Sequence, residues 1–130
     1  MAHPTVAVNE LSVQGARLKL RHAGRGRPIL YLHDELSSEW NPFLDRLSEE
    51  FQVFAPDIPG FGGSERPEWL DTVEDAAFFL ADVVDALQGD SPIGVVAAGL
   101  GGWLALEMAL RSVDRFEGLV LIGSPGLEIE

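Results

Sequence analysis

Residues 93–96 form an apolar run, and Ala97-Ala98-Gly99-Leu100-Gly101 turns that run into a second one of helical period starting at Gly102-Trp103. A strand bent this sharply into a helix lifts the side chain at its apex above a sheet, which is the geometry a hydroxyl nucleophile needs for acyl transfer. The apex residue is Gly99, and it carries no oxygen. Acyl transfer also needs a histidine to take the proton and an acid to orient that histidine. The histidines are His3, His22 and His33, all before the turn, and His33 is followed directly by Asp34 and Glu35. The Leu100 amide, next after the apex, is a backbone donor at the start of the helix.

Other residues offer little substitute chemistry. Ser64 lies in a loop over residues 56–67 whose three prolines and three glycines make it stiff, and it is expected to hydrogen-bond the backbone of that loop. Ser37, Ser38 and Ser124 read as turn or cap residues. The glycines at 60, 62 and 63 lack the lysine of a phosphate loop and the spacing of a dinucleotide fingerprint. With no cysteine, disulfides, thiol catalysis and cysteine-bound zinc are excluded, and neither a metal nor a cofactor is expected.

Nine basic against twenty-one acidic residues give a formal charge of −12, which repels polyanions and argues against nucleic acid as a partner. Arg17, Lys19, Arg21, Arg25 and Arg27 crowd the first quarter with strand-like alternation and read as a solvated face. Met1-Ala2-His3-Pro4 has neither the basic nor the apolar region of a secretory leader. Residues 93–110 contain Glu107 as their only charge, but glycines at 94, 99, 101 and 102 interrupt the run, so a buried strand and helix are expected there, not a membrane span. The expectation is a cytoplasmic protein without a membrane partner.

Those residues must be positioned by a single core, which 130 residues with 46% hydrophobic content can bury as one domain. Residues 6–13 and 16–20 pair around Gly15 as an antiparallel edge within the segment 1–22, with Leu18 and Leu20 inward. A parallel β/α core over 28–125 follows. Pro28-Ile29-Leu30-Tyr31-Leu32 is a strand covered on both faces. Asn41 caps a helix with Pro42 in its first turn and Phe43, Leu44 and Leu47 inward. Gln52-Val53-Phe54-Ala55 is the next strand. Asp71 or Thr72 then caps a helix whose apolar face is Val73, Ala76, Ala77, Leu80, Val83, Val84 and Leu87, stopped by Gly89. A strand over 93–98, a helix over 101–111 and a strand over 119–122 complete the pattern. Alternation of this kind requires right-handed crossovers, giving an α/β fold whose mostly parallel sheet has helices on both faces.

Four segments resemble the α/β-hydrolase fold family, in particular its esterase, epoxide hydrolase and C–C hydrolase group. They are Tyr31-Leu32-His33-Asp34, Ala55-Pro56-Asp57-Ile58-Pro59-Gly60-Phe61-Gly62-Gly63-Ser64, residues 97–101, and Leu119-Val120-Leu121-Ile122-Gly123-Ser124-Pro125. The resemblance runs from residue 10 or so to the end and implies the N-terminal half of the family fold, truncated after the sixth strand. It places Gly99 at the nucleophile position, Ala97 where the family has the first glycine of its elbow, and Asp34 where the family has glycine. Leu100, His33, Asp34 and Glu35 fall in the oxyanion region. His33 then reads as a loop-organising residue and not as a base. Asp34 and Glu35 are either solvated loop acids or a retuned pocket, and Glu128, the nearest match to the family's acid, reads as a terminal surface charge without a histidine to orient.

No residue is assigned a catalytic role. The implied protein is a family member without serine-hydrolase activity as this chain stands. Two other readings stay open: the N-terminal part of an ester, epoxide or C–C bond hydrolase whose remaining catalytic residues lie beyond residue 130, and a fold fragment without independent function. A small molecule in a residual pocket and a second copy at the sheet edge formed by 119–122 are the expected partners.

Overall fold

A computed structural model describes residues 5–89 and 91–123. Strand β1 (Ala7–Val13) turns into β2 (Ala16–Ala23) through Gln14 and Gly15, both at positive φ (50° and 77°), the two-residue turn whose twist matches an antiparallel pair. Then come β3 (Pro28–Leu32), α1 (Pro42–Ser48), β4 (Gln52–Pro56), α2 (Val73–Gln88), β5 (Ile93–Ala98), α3 (Leu100–Ser112), a 3-10 turn (Val113–Arg115) and β6 (Phe116–Ile122). The sheet order is β1-β2-β4-β3-β5-β6. The pairs β1–β2 and β2–β4 are antiparallel, whereas β3–β4, β3–β5 and β5–β6 are parallel.

Both sheet faces are covered, as the near-continuous apolar runs require. Leu30, Leu32, Phe54, Val95 and Ala97 pack with α2 and α3 in the larger core, while Tyr31, Val53, Ala55 and Val96 point the other way, towards Leu44 and Leu47 of α1. The period-two alternation of each strand therefore feeds two cores at once.

Local rules set the helix starts. The Asn41 side chain accepts the Leu44 amide at 3.0 Å, with Pro42 in the first turn. Thr72, the second of the two candidate caps, accepts the Asp75 amide at 3.0 Å, and the Asp75 carboxylate accepts the Thr72 amide at 3.3 Å in return. Hydrogen bonds from Asp71 and Thr72 hold the Asp75 carboxyl below its ordinary pKa.

Several boundaries and faces depart from expectation. Strand β2 continues beyond Leu20 to Ala23 because residues 20–23 pair with 53–56 of β4. Strand β6 begins at Phe116, and α3 begins one residue early at Leu100. Phe43 does not face inward: it is 45% exposed, since the seven-residue α1 is too short to bury more than one stripe. Phe79, fully buried and 6.1 Å from the Trp69 ring, joins the α2 stripe, which is wider than its period suggested. Urea unfolding followed by circular dichroism is expected to show Thr72→Ala losing about 1 kcal/mol and Phe79→Ala losing about 3–5 kcal/mol.

Candidate active site

The C-terminal end of β5 turns into α3 through Gly99, whose backbone stands at φ 52° and ψ −124°. Any other residue held there would carry roughly 1–3 kcal/mol of strain. The turn is tied on both sides: the Gly99 amide donates to the Ile122 carbonyl at 3.0 Å, and the Gly101 amide donates to the His33 carbonyl at 3.1 Å. Gly101 is glycine for packing reasons, because a Cβ there would stand 2.5 Å from the His33 carbonyl oxygen and closer still to that of Leu32. This approach brings the start of α3 against the end of β3, so residues 33–35 lie over the apex.

What fills the apex is carboxylate. The Leu100 amide donates to Glu35 Oε1 at 3.1 Å. A Cβ on Gly99 would stand 2.5 Å from that same oxygen and 2.6 Å from Asp34 Cβ. Asp34 Oδ1 in turn accepts the amides of Leu36 (2.9 Å) and Ser37 (3.1 Å), an Asx turn that carries residue 35 across the apex. Glu35 is exposed and Asp34 half-buried.

His33 is buried and both ring nitrogens are engaged. Nδ1 lies 2.7 Å from the Asp34 carbonyl, which can only accept, and Nε2 lies 2.9 Å from the Ile58 amide, which can only donate. The partners thus fix a neutral ring protonated on Nδ1, with no lone pair free to act as a base. Burial pushes its pKa below the ordinary value, outweighing the opposing pull of the Asp34 carbonyl and of the Asp57 and Asp34 charges. The Phe61 ring meets it edge-on at 5.2 Å.

Below these loops lies an ion pair that the residue pattern did not reveal. Asp57, with no solvent exposure, accepts from Arg21 Nη1 at 2.7 Å and from the Gly63 amide at 2.9 Å, and Arg21 Nη1 also donates to the Ser38 carbonyl at 3.0 Å. The basic row of β2 is accordingly not a uniformly solvated face. Arg17 is exposed and pairs with Glu10 at 3.2 Å, but the Arg21 side chain is only 16% exposed. Ser64 also differs from expectation: its Oγ accepts the Lys19 amide at 2.9 Å, tying its loop to β2 and not to itself. Ser37 Oγ accepts the Glu39 amide at 3.1 Å, as a turn serine does. His3, Ser124 and Glu128 lie outside the described residues.

A groove of about 350 Å³ opens beside the elbow, lined by Ile58, Pro59, Phe61, Leu70, Val73, Ala76, Leu100 and Leu104, with Arg66 and Asp71 at its polar side. Those two are paired at 3.2 Å. Among the described residues no group of three His, Asp or Glu side chains is placed to hold a metal ion, and no helix is long and apolar enough to cross a membrane.

A mostly parallel sheet covered on both faces, with a strand–turn–helix elbow at the C-terminal end of an inner strand, defines the hydrolase-type α/β architecture. A family model described as alpha/beta hydrolase fold matches residues 22–130, and the chain belongs to that family. It is 33% identical over 122 residues to a 2-hydroxy-6-oxo-2,4-heptadienoate hydrolase of Pseudomonas putida, covering 89% of this chain and 44% of that protein. It is 32% identical over 122 residues to a soluble epoxide hydrolase of Corynebacterium, covering 92% of this chain and 42% of that protein. The solved structure of epoxide hydrolase CorEH superposes with a TM-score of 0.85 at 28% identity, covering 97% of this chain and 47% of the other. The chain thus spans less than half the length of these relatives.

Two measurements test the site's framework. Asp57→Ala strands the Arg21 guanidinium and is expected to cost about 3–5 kcal/mol in chemical denaturation. Because the His33 pKa is lowered in the fold, its contribution to stability is complete above the unfolded value of about 6.5 and is lost as pH falls below it, when only the unfolded chain takes up the proton. Denaturation midpoints measured between about pH 7.5 and 5 are expected to drop for the wild-type chain and to flatten in His33→Gln.

Proposed function

We propose that this chain is an α/β-hydrolase-family domain that performs no serine-type hydrolysis as it stands and that uses its residual groove to bind a compact, apolar small molecule. One observation carries the reading: Glu35 Oε1 occupies the Leu100 amide beside an apex glycine. An oxyanion would need that amide free, and a nucleophile would need an oxygen on residue 99. His33 lacks a free nitrogen, and no histidine follows it in the sequence. Loss of a nucleophile alone lowers turnover on the order of a millionfold in a serine protease. The groove's volume of about 350 Å³ falls at the lower end of the range for small-molecule sites, roughly 300–1,000 Å³, and its walls are mainly apolar.

A second reading is favoured by length. The relatives named as a 2-hydroxy-6-oxo-2,4-heptadienoate hydrolase and a soluble epoxide hydrolase are more than twice as long as the matched stretch, so this chain would be the N-terminal part of such an enzyme, with its acid and base supplied from residues beyond 130. The exposed face of β6, with Val120 at 56% and Ile122 at 45%, favours cover by a second copy when the chain stands alone.

Three assays separate these readings. Hydrolysis of p-nitrophenyl acetate is expected to stay at background for the wild type and for Gly99→Ser, and a gain in the variant would overturn the inactive reading. N-phenyl-1-naphthylamine, a neutral apolar fluorophore, is expected to bind saturably and to lose its signal in Val73→Trp, which fills the groove; equal binding by both proteins would count against the groove. Sedimentation equilibrium is expected to show a concentration-dependent dimer that Val120→Lys abolishes.

A further inference from the structure

We infer that Asp34 and Glu35 are the counterpart of Gly99. The volume that a side chain on residue 99 would occupy, and an acceptor for the Leu100 amide, are supplied in cis by the loop after β3, which closes the site from within. This concerns the fold's internal complementarity and holds whether or not any substrate is turned over.

The steric half rests on positions 34 and 99. In this backbone a Cβ on residue 99 would lie 2.6 Å from Asp34 Cβ. Carbon atoms in contact settle at about 3.5–4.0 Å, so the two positions cannot both carry a side chain without the backbone moving.

The polar half rests on Glu35. The first amides of a helix lack intrahelical partners, and the Leu100 amide at the start of α3 takes Glu35 Oε1 as its acceptor at 3.1 Å. The same oxygen would be 2.5 Å from a Cβ on residue 99, so one carboxylate both satisfies the amide and occupies the apex. The loop bearing it is anchored before and after residue 35. His33 is bonded through both ring nitrogens, and Asp34 Oδ1 accepts the amides of Leu36 and Ser37. Residue 35 therefore crosses the apex because its flanks are fixed, and access to the Leu100 amide requires the Glu35 carboxylate to swing aside.

The test is a double-mutant cycle on folding, read by chemical denaturation, together with the Leu100 amide resonance. Gly99→Ala in the native background is expected to lower the folding constant by about a hundredfold or more, combining left-handed strain with the clash. In the background Asp34→Gly with Glu35→Gly, the same change is expected to cost at least about tenfold less. Equal losses in the two backgrounds overturn the inference. Should Gly99→Ala fail to fold in the native background yet fold in the glycine background, that contrast is the predicted coupling; failure in both overturns it. Independently, Glu35→Ala, a change at an exposed side chain, is expected to move the Leu100 amide proton upfield while distant α3 amides stay in place. An unmoved Leu100 resonance overturns the polar half.

Discussion

A carboxylate with no exposure to water organises the functional end of this protein. Asp57 is tolerated there because Arg21 and the Gly63 amide meet its two oxygens, leaving no uncompensated charge in a low-dielectric interior. Its own amide donates to the Lys19 carbonyl, so the residue is fixed to β2 by backbone as well as by side chain. Through Arg21 and the Ser38 carbonyl the same pair holds the loop after β3. Gly62, at φ 52°, wraps so closely around this carboxylate that a Cβ would overlap it. Three separate segments of chain are thus ordered around one buried charge.

The elbow inherits that order. His33 joins the loop after β3 to the loop after β4 through Ile58, and its carbonyl holds Gly101 at the start of α3. In these contacts His33 serves as a neutral ring with both nitrogens engaged, and the remaining links are between backbone groups. The turn at Gly99 is kept by backbone hydrogen bonds to Ile122 and from Gly102 and Trp103, so the architecture survives intact around an apex without an oxygen. The elbow's backbone is thus held without any contribution from a side chain at its apex, and the fold by itself does not state the chemistry.

Elements were legible in the sequence where the signal is local. Asn41-Pro42, the Thr72–Asp75 box and the stop at Gly89 mark helix ends through contacts of four residues or fewer. The near-continuous apolar run of β3 marked a strand covered on both faces, whereas the division of the interior into two clusters, where a single core was expected, came from the structure. The elbow was legible as a run of small residues, and the family fold followed from it and from the Pro-Gly loop. The contents of the site were less so. Glu35 reaches the Leu100 amide across 65 positions and Arg21 reaches Asp57 across 36. A charge in a sequence does not state its partner, since that depends on strand register and on how closely α3 approaches β3. Phe43 and Phe79 exchanged expected places for a related reason: the width of a buried stripe is set by the surface a helix meets, not by the helix alone.

The two faces of the sheet are unequally roofed. Leu119 and Leu121 of β6 lean into the core beneath α3, but Val120 and Ile122 look out from the side where α1 reaches only the middle strands. Resistance to local opening should therefore fall from β3 and β5 towards β6, whose far edge has no neighbouring strand among the described residues. The Gly99 amide hangs on the Ile122 carbonyl of that edge strand. Fraying at the margin would be transmitted directly to the apex, making the elbow a gauge of how well the border of the sheet is held.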